Sequence, residues 1–195
     1  MPRPFRHATS FITAASAFAL LTLTGFAQTM GTPEHYTASA FDLNNGKAGT
    51  IDIAVNRWSS DKQRDALMAM VADKGPEKLL DAIQDMPAVG HFGAPGNLSW
   101  DIRFARKLPL PDGGERVVLV TDRRIGFRES VNQPRSIDYP FTVIELRLNR
   151  DGEGEGKMSL ATKVIYDKKE NMISLENYQT SPVQLTNVKR ERVTH

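Results

Sequence analysis

The chain has 195 residues, 40% of them hydrophobic and 25% charged, with no cysteine and a formal net charge of +2. This composition fits one globular domain large enough to bury a core without staples, and it excludes disorder as the main state. The lack of cysteine excludes disulfides, thiolate metal sites, thiol catalysis and a lipid-modified cysteine. Near-neutral charge calls for neither nucleic acid nor an anionic membrane.

Arg3 and Arg6 precede an apolar stretch from Phe11 to Leu23, and Gly25 and Ala27 place small residues at the spacing that precedes a cleavage point. The expectation is a secretory signal peptide over residues 1–27, cleaved near Ala27, with the product periplasmic or secreted. Cleavage removes two arginines and leaves 23 basic against 23 acidic residues. No later apolar run approaches membrane-spanning length, so no integral membrane segment is expected after cleavage.

Residues 28–41 are polar, lack a period and contain Pro33, which predicts a flexible leader before a single domain over 42–190 and a tail over 191–195. Ile51, Ile53 and Val55 alternate with Asp52, Ala54 and Asn56 as a first strand. Ser60 and Gln63 have capping-box spacing, and Leu67, Met68 and Val71 recur at helical spacing up to Gly75. Pro76 opens a second helix, carried by Leu79, Leu80 and Ile83 and ended before Pro87. Helices this short need a surface to pack on.

Leu98, Trp100, Ile102 and Phe104 alternate with polar or small neighbours, the clearest strand pattern in the chain. A turn over Pro109–Gly114 returns the chain as Arg116–Thr121, and the unbroken apolar run Val117–Val120 predicts a strand covered on both faces. Arg123–Asp138 reads as the longest loop. Four strand-like runs then follow between Tyr139 and Lys189: Ile144–Leu148, Met158–Tyr166, Met172–Tyr178 and Val183–Val188. Met158, Leu160, Val164 and Tyr166 share one face of the second run if its alternation is unbroken. The expected fold is α+β, a strongly curved antiparallel sheet or barrel-like meander of about seven to nine strands. A two-helix insertion after the first strand covers one opening or face.

This order of a strand, two short helices and a run of antiparallel strands is similar to that of the intracellular fatty-acid-binding proteins and, less closely, the Bet v 1 group. The resemblance implies a curved sheet closed by a helix pair around an apolar ligand. The wording of Arg57 to Ser59, Thr121 to Arg123, Glu145 to Leu148 and Gly152 to Lys157 also resembles exported bacterial proteins of unknown function, which implies no activity.

Among the histidines, His91 is the one expected in ordered structure, and no Gly-x-Ser-x-Gly elbow marks a nucleophile. Asn149, Asp151, Glu153 and Gly154 begin like a calcium loop, but Leu160 stands where the bidentate glutamate belongs, so the reading is a hairpin turn. Asp101, Glu129, Asp138, Glu145 and Glu176 offer carboxylate pairs whose separation the sequence leaves open. No metal site and no cofactor is expected.

Candidate ligand-binding residues are Arg57, Trp58, Trp100, Arg123, Arg124 and Glu145, because arginines beside aromatics at strand ends bind carboxylates or stack on rings. Met68, Met70, Met86 and Met158 suit an adaptable pocket. The expected function is an exported, non-enzymatic binding module for a small apolar or amphipathic ligand. One alternative is a cell-envelope domain that meets a protein partner through a sheet edge or the Arg123–Asp138 loop. A second is a hydrolase using His91 or a carboxylate pair.

Overall fold

The computed structural model describes residues 31–44, 46–122, 141–167, 172–177 and 181–191. The expected signal peptide, the Arg123–Asp138 loop and residues 192–195 lie outside the described residues. The chain forms β1 (Glu34–Asp42), β2 (Lys47–Val55), α1 (Asp61–Lys74), a 3-10 turn (Pro76–Lys78), α2 (Leu79–Gln84), β3 (Gly90–Gly93) and β4 (Trp100–Ile102). These are followed by β5 (Phe104–Pro109), β6 (Glu115–Val120), β7 (Phe141–Leu148), β8 (Glu153–Asp167), β9 (Met172–Asn177) and β10 (Val183–Glu191).

Neighbouring strands run in the order β4-β3-β2-β1-β10-β8-β7-β6-β5, every pair antiparallel, with β9 attached to β8 off this path. Only Arg103 separates β4 from β5, so the two ends of the order are one run of chain, and the nine strands form a nearly closed barrel.

Two features depart from expectation. The stretch expected as a leader contains all of β1 but its last residue, and β1 pairs with β2 along its whole length and with β10 on its other edge. The helix pair therefore follows the second strand rather than the first. Nor do the last four strands make a simple meander, because β9 and β10 share one edge of β8. The Glu153–Met158 half of β8 pairs with β10, and its Thr162–Asp167 half pairs with β9.

The barrel interior is filled by side chains, with Tyr36, Ile53, Phe92, Ile102, Leu119, Ile144, Leu146 and Leu185 all fully buried there. Each such side chain contributes roughly 1.5–3 kcal/mol on removal from water. Gly156 makes room for this packing, since a Cβ there would lie 2.8 Å from Leu146 Cδ2.

A second core lies outside the barrel wall, where Val71, Leu79 and Ile83 of the helix pair meet Phe141, Val143 and Val164. The helices thus cover a face, not an opening. The wall strands serve both cores: Val117 and Leu119 point into the barrel, while Val118 and Val120 point at the helices. The Ser60 capping box starts α1, with Gln63 N donating to Ser60 Oγ at 3.2 Å and Ser60 N donating to Gln63 Oε1 at 2.9 Å. Gly75, at φ +90°, ends it. Arg103 Nη1 donates to the Met86 carbonyl at 3.0 Å and ties the exit of α2 to the wall.

Irregularities set which face each residue joins, because one extra residue in a strand reverses every later side chain. At Arg103 the chain leaves its β3 partner for β6, so Ile102 and Ala105 both face inward and Phe104 faces the helices. A bulge in β8 between Ser159 and Thr162 puts Met158 and Leu160 in the barrel but Val164 and Tyr166 in the outer core, so the four residues expected on one face are divided. A third irregularity, in β10, holds Asn187 at φ +51° and brings Val188 inward after Leu185.

Candidate ligand-binding site

Between the helix pair and the outer barrel wall is a partly open cavity of about 120 Å³. Arg64, Leu67, Met68 and Val71 of α1 line one side, their spacing placing them on one helical face. Leu79 and Ile83 extend that side from α2. The wall opposite is built from Phe104, Arg106 and Leu108 of β5, Val118 and Val120 of β6, and Phe141 and Val143 of β7. Val164 and Leu175 complete it from β8 and β9. Alternation along each strand delivers every second side chain to this face.

Arg64 and Arg106 are the charged residues of the lining. Asp61 Oδ1 lies 2.7 Å from Arg106 Nη1 and 3.8 Å from Arg64 Nη1, so two guanidinium groups share that carboxylate. Arg64 also pairs with the exposed Asp65 at 2.5 Å. The Arg106 side chain is only 10% exposed; its contact with Asp61 is an ion pair, and neither Nε nor Nη1 meets hydrogen-bond geometry among the described residues.

A different charged group closes one end of the barrel. Tyr36 donates its hydroxyl to Glu34, which also accepts from Lys107, and Arg190 lies 3.8 Å from Glu34 and 3.1 Å from Glu115. Lys107 Nζ sits 4.6 Å over the Trp58 ring. Burial above all, then the Glu34 hydroxyl acceptor and its charge, push the Tyr36 phenol far above its ordinary value. Two acids and two cations offset one another here, making a polar seal over the filled interior rather than an open site.

Among the described residues, those expected to bind ligand have separate partners. Trp58 is buried beneath Lys107 and donates Nε1–H to the Thr32 carbonyl at 3.3 Å, while the adjacent Arg57 reaches the Ala88 carbonyl at 3.5 Å. Trp100 is half-buried against Phe92, ring centroids 5.7 Å apart. Glu145 lies on the outer wall between Arg116 and Lys157, each at 3.4 Å. Arg123 and Arg124 fall outside the described residues. Of the four methionines, Met68 lines the cavity, Met70 and Met86 pack beside it in the outer core, and Met158 belongs to the barrel interior.

His91 is exposed on β3, and it is not the only histidine on a strand, because His35 lies on β1. Both pair with Ala54, from opposite sides, two strand spacings or roughly 10 Å apart. The Asn149–Glu153 run forms the β7–β8 turn, in which Asn149 Oδ1 accepts from Asp151 N at 2.9 Å and Glu153 N at 3.0 Å. Arg64, Arg106 and Asp61 were missed because their significance comes from where α1 lands on the wall, and nothing in local spacing reports that.

The geometry defines an antiparallel barrel with a filled interior and a helix-covered apolar cavity on its outer wall. Comparison of the chain with protein-family models, with curated proteins and with solved structures finds no match.

Proposed function

We propose that this protein is an exported, non-enzymatic binding module for a small apolar or amphipathic ligand, held in the cavity between the helix pair and the outer wall. The carrying observation is the cavity itself, about 120 Å³ and walled by aliphatic and aromatic side chains from two helices and five strands. An apolar cavity of comparable size, about 150 Å³, stays dry and admits benzene, so the ligand is limited to about one ring or a short alkyl chain. This differs from what resemblance to fatty-acid-binding proteins implies, since the site lies outside the barrel. Met68 in the lining, with Met70 and Met86 beside it, supplies side chains that adapt to ligands of irregular shape. The pattern from Arg3 to Ala27 supports export.

Methyl-resolved NMR with toluene as the probe tests the reading. Saturable shifts are expected at Leu67, Met68 and Val118, with Ile144 and Leu146 in the barrel unmoved. Absence of any shift at the cavity methyls, together with a bare mass in native mass spectrometry, refutes it.

A further inference from the structure

Resting on that cavity reading, we infer that the ligand is a neutral molecule without hydrogen-bonding groups, a single hydrocarbon ring or a short alkyl chain, and that the cavity selects against its charged or hydroxylated relatives. Apart from Arg64 and Arg106, every lining side chain is aliphatic, aromatic or methionine. The two arginines present methylene stems to the cavity and no polar surface, as long cationic side chains laid along an apolar wall do. Arg106 Nη1 is drawn to Asp61 and its Nε is enclosed, while Arg64 is shared between Asp61 and Asp65. Two cations and two anions balance within this cluster, so it favours neither sign of ligand charge.

Backbone groups are equally withdrawn. Ladder bonds run through the wall, pairing Phe104 with Val120, Val120 with Val143 and Val164 with Leu175. At the β8 bulge, where the ladder is interrupted, Thr142 Oγ1 donates to the Leu160 carbonyl at 2.8 Å. A hydroxyl or a charge placed in the cavity thus loses its water and finds no partner. Nor does the lining offer the two or more polar groups that hold an ordered water, so an apolar ligand enters without breaking a water bridge.

Toluene, benzyl alcohol, benzoate and benzylamine share one ring and differ in the group it carries. Calorimetric titration at pH 7 compares them, with methyl NMR at Leu67 and Met68 to locate binding. Toluene is expected to bind about tenfold or more tightly than benzyl alcohol, and at least about a hundredfold more tightly than either ion. Val118→Thr keeps the branched shape and puts one hydroxyl into the lining, so the ratio of toluene to benzyl alcohol affinity should fall toward one. Val143→Thr makes the same change on the neighbouring strand and serves if the first variant does not fold. Benzyl alcohol, benzoate or benzylamine matching toluene at the cavity methyls of the native protein overturns the hydrocarbon assignment and leaves the cavity reading standing. A ratio unchanged by the new hydroxyl also overturns it, because the discrimination then has another source than a missing polar partner. Failure of all four probes to shift the cavity methyls overturns both.

Discussion

Residues 119 and 120 are chain neighbours on β6 that face different cores, and changing their size should have unequal consequences. Leu119 is fully buried in the barrel, so Leu119→Ala removes about three carbons at ~0.8 kcal/mol each and adds a cavity term. The expected loss is about 3–4 kcal/mol, which at a urea m-value of about 2 kcal/mol/M lowers the midpoint by roughly 1.5–2 M. Val120 lines the outer cavity, so Val120→Leu places its extra methylene in existing space. Its stability should stay within about 1 kcal/mol of the native protein, since the gain from burying a methylene offsets the poorer strand propensity of leucine. Enlargement in the barrel is the control: Ala105 is fully buried there, and Ala105→Val should cost about 1–3 kcal/mol through overpacking. Urea denaturation followed by Trp fluorescence measures all three. If Val120→Leu loses as much as Ala105→Val, the outer wall has no free volume and the cavity argument fails.

Ser60→Ala removes the hydroxyl half of the capping box and should cost about 1 kcal/mol, a melting shift of about 2–4 °C by circular dichroism. Asn187, at φ +51°, should tolerate glycine within a few tenths of a kcal/mol, whereas Asn187→Val should lose about 1–2 kcal/mol or more in urea denaturation. The Tyr36 phenol is raised, so the stability it contributes is complete below the unfolded value of 10.0 and is lost as pH climbs above it. Spectrophotometric alkaline titration should therefore show Tyr36 ionising only with unfolding, and Tyr36→Phe should remove that step; a normal titration of all tyrosines in the folded protein contradicts it. Asp112 is held below the ordinary carboxylate range first by its hydrogen bond from Gly114 N and then by Arg147. Its contribution is present above the unfolded carboxylate pKa and lost as pH falls through the folded one, so its NMR titration midpoint should lie below 3.8 and rise in Arg147→Ala.

Local chemistry made some elements readable. The Ser60 and Gln63 pair, the Gly75–Pro76 junction and the apolar run Val117–Val120 each act through neighbours a few residues away, and each stands as expected. β1 was hidden because its inward positions are Tyr36, Ala38, Ala40 and Asp42, a face too small and polar to show a hydrophobic period. The divided face of β8 was hidden for another reason, since a bulge leaves the composition of a strand unchanged while reversing its sides. The site was less readable than the fold. Arg57 and Trp58 are adjacent in the chain but have separate surroundings, whereas Asp61 and Arg106 lie 45 positions apart and meet at 2.7 Å. Such a meeting depends on docking a helix against a wall, which no local pattern encodes.

The cavity itself follows from the dimensions of the pieces. The apolar outer face runs across β5, β6, β7, β8 and β9 through Phe104, Val118, Val143, Val164 and Leu175. Five strands at about 4.8 Å spacing make this face roughly 19 Å wide. A helix of 14 residues is about 21 Å long but only about 10 Å across, and the six residues of α2 add only about 9 Å of length. Side by side the two helices match that width, but α2 is less than half as long as α1 and leaves part of the face uncovered. Val71, Leu79 and Ile83 anchor them to it, and Met68 and Leu67 line the cavity that remains. Filling the gap with larger residues would close it, as the interior of the barrel is closed. Its persistence beside the filled barrel interior is the physical ground for proposing ligand binding on the outer wall rather than within the barrel.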